Sequence, residues 1–147
     1  MSGRMKLRNL TFPALASLLL ASAALAEGDA AKGEKNFKKC AQCHRILSPE
    51  GEMVVKGGIT GPNLWGVIGR VAAGDANFRK YGDSLKALGE TGFTWSEEDI
   101  TVYARDPKAF LRERLDDGSA RALMTFKLKD ASDIAAYLAT FAADTGE

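Results

Sequence analysis

The reactive side chains of this 147-residue sequence are concentrated in one run, Cys40-Ala41-Gln42-Cys43-His44. Two thiols three positions apart share one face of a helical turn, so each can reach one vinyl group of a porphyrin and close a thioether. His44 then turns its ring toward the metal, and the run matches the pattern by which c-type haem is attached. The remaining composition restricts the alternatives, because His44 is the only histidine and Cys40 and Cys43 are the only cysteines. A structural zinc site needs more nitrogen and sulfur ligands than these three residues supply. A thioredoxin-like dithiol wants a preceding strand and a βαβ context, and neither is visible. A structural disulfide leaves the adjacent histidine unexplained. One covalent haem c at Cys40 and Cys43 is therefore expected, with His44 as an iron ligand.

A second axial ligand then has to come from outside the motif, and with no further histidine the natural donor is a methionine thioether. The four methionines are Met1, Met5, Met53 and Met124. Met1 and Met5 belong to a segment with basic residues Arg4, Lys6 and Arg8, an uncharged apolar run from Leu10 to Leu25 interrupted by Pro13, and small residues Ala24 and Ala26. That order predicts a secretory signal over residues 1–26, cleaved before Glu27. The run is too short for a spanning helix, which needs about 20 apolar residues. A second domain-sized unit is not expected, and residues 27–147 form the working domain, which is exported. Of the two methionines left, Met53 lies in a glycine-rich stretch soon after His44. Met124 is far enough along the chain to close over the opposite face of the haem, and is the expected ligand.

The elements that must position these groups are short helices. Asp29 can cap a helix running to about residue 39, with Gly33 and Phe37 on one face. Residues 48–63 hold four glycines and two prolines and read as irregular loop. A turn of helix is expected over 63–68, and another over 83–88 with Gly89 as its stop. Ser96 and Asp99, with Glu97 and Glu98, mark a helix start running to about residue 105. Asp106-Pro107 ends that helix and opens the next. Asp130 is placed to cap a last helix whose Ile134, Tyr137, Leu138 and Phe141 make one apolar stripe. No stretch alternates with period two, so little or no sheet is expected. The fold class is all-α with long loops. Such short helices bury little apolar surface, and a prosthetic group is expected to fill the centre.

Composition excludes other functions. The full chain has 20 basic and 19 acidic residues, and removal of residues 1–26 leaves 17 against 19, a net charge of −2. Neither total advertises a nucleic-acid or anionic-membrane partner.

With these motifs in order, the sequence resembles the class I c-type cytochromes, specifically the bacterial cytochrome c2 and c550 group. The resemblance rests on the run from Gly28 to Lys35, the haem motif, Thr60-Gly61-Pro62-Asn63-Leu64, Gly69-Arg70, Phe93-Thr94-Trp95, Asp106-Pro107 and Met124-Thr125-Phe126-Lys127-Leu128. It implies that the Pro62 carbonyl accepts from the second ring nitrogen of His44. It also implies that Arg70, Tyr81 and Trp95 hydrogen-bond the haem propionates, that Tyr103 lies near the methionine sulfur, and that Gly33 and Phe37 meet the last helix around Tyr137 and Leu138. The implied activity is one-electron transfer between membrane complexes: a cytochrome bc complex as donor, a photosynthetic reaction centre or terminal oxidase as acceptor. Docking would use lysines around the haem edge, which Lys35, Lys39, Lys108 and Lys127 match. Ile59 and Leu123 stand where relatives often carry lysine. With both axial positions filled the iron has no place for substrate, which argues against a peroxidase; a gas or redox sensor would want an output segment.

Overall fold

The computed structural model describes residues 28–142. The expected signal over 1–26 lies outside the described residues. Among the described residues there are five short α-helices: α1 (Ala30–Asn36), α2 (Asp83–Glu90), α3 (Glu97–Arg105), α4 (Pro107–Leu115) and α5 (Ser132–Ala139). α1 is capped as expected, Asp29 accepting from the Lys32 N–H at 3.1 Å, but it ends at Asn36 and continues as a single 3₁₀ turn over Phe37–Lys39. That tightening delivers the chain into the cysteine motif. The α3 start carries a complete capping box between Ser96 and Asp99, and Asp106 caps α4 with Pro107 in its first turn. Arg114 of α4 pairs with Asp99 at 2.7 Å while its guanidinium lies over Phe93 and Phe110, which locks α3 against α4.

Four local expectations need correction. The cap of α5 is Ala131, and Asp130 instead accepts from the Ser132 N–H, closing a turn just ahead of the helix. Residues 63–68 make turns and no helix; Gly66 has φ +63°, which interrupts helical propagation. Gly89 does not stop α2. The helix runs past it to Glu90, Gly92 supplies the left-handed residue beyond, and Gly89 is where a Cβ would strike the Ala72 carbonyl. Residues 48–63 are not irregular throughout: β2 (Met53–Val55) pairs antiparallel with β1 (Ile46–Leu47), with an irregular register between its two pairs, and this short pair is the little sheet expected. It lacks strict alternation because it is only a few residues long and one strand is largely solvent-facing.

The main helix crossing joins α1 to α5. Gly33 is buried there, and a Cβ on it would overlap the Asp133 carbonyl and come within 2.8 Å of the Tyr137 Cβ. Phe37 packs edge-on against Tyr137 with ring centroids 5.8 Å apart. Asp133 reaches back to accept from the Asp29 N–H at 2.8 Å, so each helix caps or braces the other. Ile134, Tyr137 and Leu138 are buried as the stripe predicted, while Phe141 lies beyond the helix end against Trp65. Among the described residues no helix is long and apolar enough to cross a membrane.

Candidate haem site

The α1 crossing, the α3–α4 pair and the loops leave a cavity of about 470 Å³ at the centre, where a larger apolar core would otherwise stand. Cys40, Cys43 and His44 line it, and so do Met124, Pro62, Arg70, Tyr81, Trp95 and Tyr103. Every site residue expected from the sequence is therefore brought to one space. Met53 is not: it sits on β2, 46% exposed, away from this lining. The rest of the wall is largely aliphatic, including Leu64, Val67, Leu85, Leu111 and Leu138, supplied by loops and by α2, α4 and α5. None of these was singled out as a site residue from sequence, because an aliphatic side chain facing a cavity has the same type as one facing a core.

The motif emerges directly from the 3₁₀ turn, with the His44 N–H bonded to the Cys40 carbonyl at 2.9 Å, so the two thiols and the imidazole project from one turn. His44 Nδ1 lies 2.8 Å from the Pro62 carbonyl, which leaves Nε2 as the ring nitrogen free to ligate. Burial pulls the imidazole below its ordinary pKa, so the ring is neutral and its lone pair available at neutral pH. Burial likewise pushes the Cys40 thiol up to about 11.

Two residues without an assigned role hold this geometry. Gly61 lies flat against the imidazole, and a Cβ there would overlap the ring. The glycine-rich loop is thus the form the chain takes when its backbone must cover the motif at contact distance. Asn63 accepts from Leu47 N–H at 3.0 Å and donates to the Leu47 carbonyl at 2.7 Å, stitching the segment after Pro62 to the small sheet. Arg70 donates to the Asn63 carbonyl at 2.9 Å and the Trp65 carbonyl at 3.1 Å. Its guanidinium stays charged despite burial, so it contributes a fixed positive charge to the cavity wall. The Tyr81 hydroxyl accepts from the Asp75 N–H at 3.1 Å and keeps its own proton to donate. Trp95, 7% exposed, and Tyr103 stack in one aromatic cluster with Phe93 and Phe110. Burial pushes the Tyr103 phenol up to about 12, so it is a neutral hydroxyl over the physiological range.

The apolar volume, the paired thiols beside a braced neutral imidazole, and the convergent donors on Arg70, Tyr81 and Trp95 fit a porphyrin with two acidic substituents. The comparisons agree. The chain is 56% identical over 133 residues to cytochrome c2 of Rhodobacter capsulatus, covering 90% of this chain and 96% of that protein. The chain belongs to the class I c-type cytochromes. It is 48% identical over 139 residues to cytochrome c-550 of Paracoccus versutus, covering 92% and 90% of the two chains. The solved structure of the Rhodobacter capsulatus cytochrome c2 superposes with a TM-score of 0.74 at 58% identity, over 77% of this chain and 97% of that one. Ferric cytochrome c-550 from Paracoccus versutus gives a TM-score of 0.75 at 48% identity, over 80% and 100%. No family model matches the chain. As a cytochrome c of this group it carries one covalent haem c and is an electron carrier and not an enzyme.

Proposed function

We propose that this cytochrome is a periplasmic one-electron shuttle in which Cys40 and Cys43 tether the haem while His44 and Met124 ligate the iron on its two faces. The observation that carries the reading is the meeting of all four side chains on one cavity, with His44 already oriented through Pro62. The haem, when bound, supplies a centre that gains and loses one electron. The chain's part is to keep that centre closed and to set its potential. A neutral thioether in an apolar wall favours the ferrous state and so a comparatively high potential. Arg70, Tyr81 and Trp95 supply donors for the propionates, which need partners because buried charge is costly unpaired. Tyr103 packs edge-on against Trp95 and Phe110 and shares the cavity lining with Met124, which supports a role beside the methionine ligand. Residues 1–26 direct export and are removed, and the donor and acceptor are a cytochrome bc complex and a reaction centre or terminal oxidase.

Mass spectrometry of the denatured protein from an exporting host tests the covalent and targeting parts together. The expected species begins at Glu27 and carries one haem that survives acid and organic solvent. A chain without haem, or one retaining residues 1–26, contradicts the reading.

Docking would use exposed Lys35, Lys39 and Lys108 together with the apolar residues Ile59 and Leu123, which are 68% and 69% exposed. Apolar residues at the rim contribute burial that salt does not screen, while the lysines contribute steering that it does. Leu123→Lys is expected to raise the rate of reaction with an acidic acceptor at low ionic strength by up to about tenfold, and to weaken the complex at high salt. Unchanged affinity at high salt would make Leu123 an ordinary exposed side chain.

A further inference from the structure

Met124 sits in the middle of a strap that makes no hydrogen bonds of its own backbone. Among the described residues, 122–126 make no backbone-to-backbone hydrogen bond. Its hydrogen bonds to the rest of the fold lie only at its ends. Upstream, Arg112 Nε donates to the Ala120 carbonyl at 3.3 Å and the Arg121 N–H donates to Ser84 Oγ at 2.9 Å. Downstream, the Leu128 N–H donates to the Ala104 carbonyl at 2.8 Å, and Lys127 Nζ donates to Asp106 Oδ2 at 2.6 Å. The other oxygen of that carboxylate, Oδ1, accepts from the Ala109 N–H at 3.0 Å and caps α4. One carboxylate thus joins the α3–α4 corner to the residue three positions beyond Met124.

We infer that Asp106 is a positioning residue of the redox centre: through Lys127 it holds the downstream end of the Met124 strap closed over the iron. This rests on Met124 being the sixth ligand. It also gives Lys127 a different standing from Lys35, Lys39 and Lys108, because its ammonium already has a carboxylate partner inside the molecule. An acidic group on a docking partner that draws Lys127 away competes with Asp106 and frees the strap. Opening the strap exposes the iron, so the population of the open state reads directly as affinity for an added ligand.

The test uses imidazole binding to the ferric holoprotein, since a neutral probe does not respond to the charge change itself. Asp106→Asn keeps an oxygen acceptor and a good cap for α4 while removing the ion pair. Lys127→Gln removes the other partner. Each is expected to raise the imidazole association constant roughly two- to fivefold, the range open to a half-exposed pair, with an unchanged melting temperature. The double variant should bind no more tightly than either single one, because both remove the same contact. Rising salt should increase imidazole binding in the native protein and leave both variants flat. Asp83→Asn, which breaks the exposed Lys86–Asp83 pair at 3.3 Å, is the control and should change nothing. The inference is overturned if either single variant binds as the native protein does, or if the two effects multiply. Met124→Ala separates the underlying reading: a large gain in imidazole affinity there with none in Asp106→Asn sinks the strap anchor alone. No gain in Met124→Ala sinks the ligand assignment.

Discussion

Replacing Met124 with alanine is expected to lower the reduction potential by a few tenths of a volt, a substantial part of the ~0.8 V range that axial ligands span. The thioether is a soft donor that stabilises ferrous iron, and alanine leaves only water or another hard ligand, which stabilises ferric iron. At about 59 mV per tenfold change for one electron, a drop near 0.2 V is more than a thousandfold in the electron-transfer equilibrium. A carrier with that potential would no longer accept from its donor. The same replacement at Met53 should leave the potential within a few millivolts, because Met53 lies on the exposed face of β2 and does not line the cavity. Potentiometric titration of the two variants checks both statements. A normal potential in Met124→Ala, or a fall in Met53→Ala, overturns the assignment of the sixth ligand.

Gly33→Val should cost the fold about 3 kcal/mol, the upper end for an overpacked site, since the new Cβ must displace the Asp133 backbone carbonyl and not a flexible side-chain end. For a domain of this size that is a fall of about 12 °C in melting temperature. The α1–α5 crossing forms one wall behind the cavity through Leu138 and Ile134, so loosening it should also weaken haem-induced stabilisation. Gly118 is the matched control, with nothing within 4 Å of a built Cβ, and Gly118→Val should change stability by less than about 0.5 kcal/mol. Thermal and urea melts followed by far-ultraviolet dichroism measure both. A loss under about 1 kcal/mol at Gly33 means the helices can separate without consequence.

The parts of this molecule that sequence made legible are those where one residue type has one physical use. The Cys40–His44 run admits few chemistries, Ser96 with Asp99 and Asp106 with Pro107 are helix punctuation, and the spacing of Ile134, Tyr137 and Leu138 can only be a buried stripe. What stayed hidden depends on contacts between distant segments. Gly89 and Gly92 look alike in sequence, yet one is small because Ala72 presses on it and the other because its backbone is left-handed. Asp130 spends its carboxylate on the Ser132 N–H ahead of α5, which leaves Ala131 at the cap position. The second use of Asp106 was invisible for the same reason. Its cap is local, but Lys127 is 21 residues away, and only the fold brings them together. The aliphatic cavity wall reads as ordinary core because a porphyrin and a side chain ask the same thing of a leucine.

The most direct test of a closed, six-coordinate electron carrier is exposure of the reduced holoprotein to carbon monoxide at neutral pH. With His44 and Met124 both on the iron, the ferrous absorption spectrum should stay unchanged over minutes, and Met124→Ala should form the carbon monoxide complex promptly. A native protein that binds carbon monoxide within the mixing time has an open iron position, and the account of a His44- and Met124-ligated shuttle is then wrong.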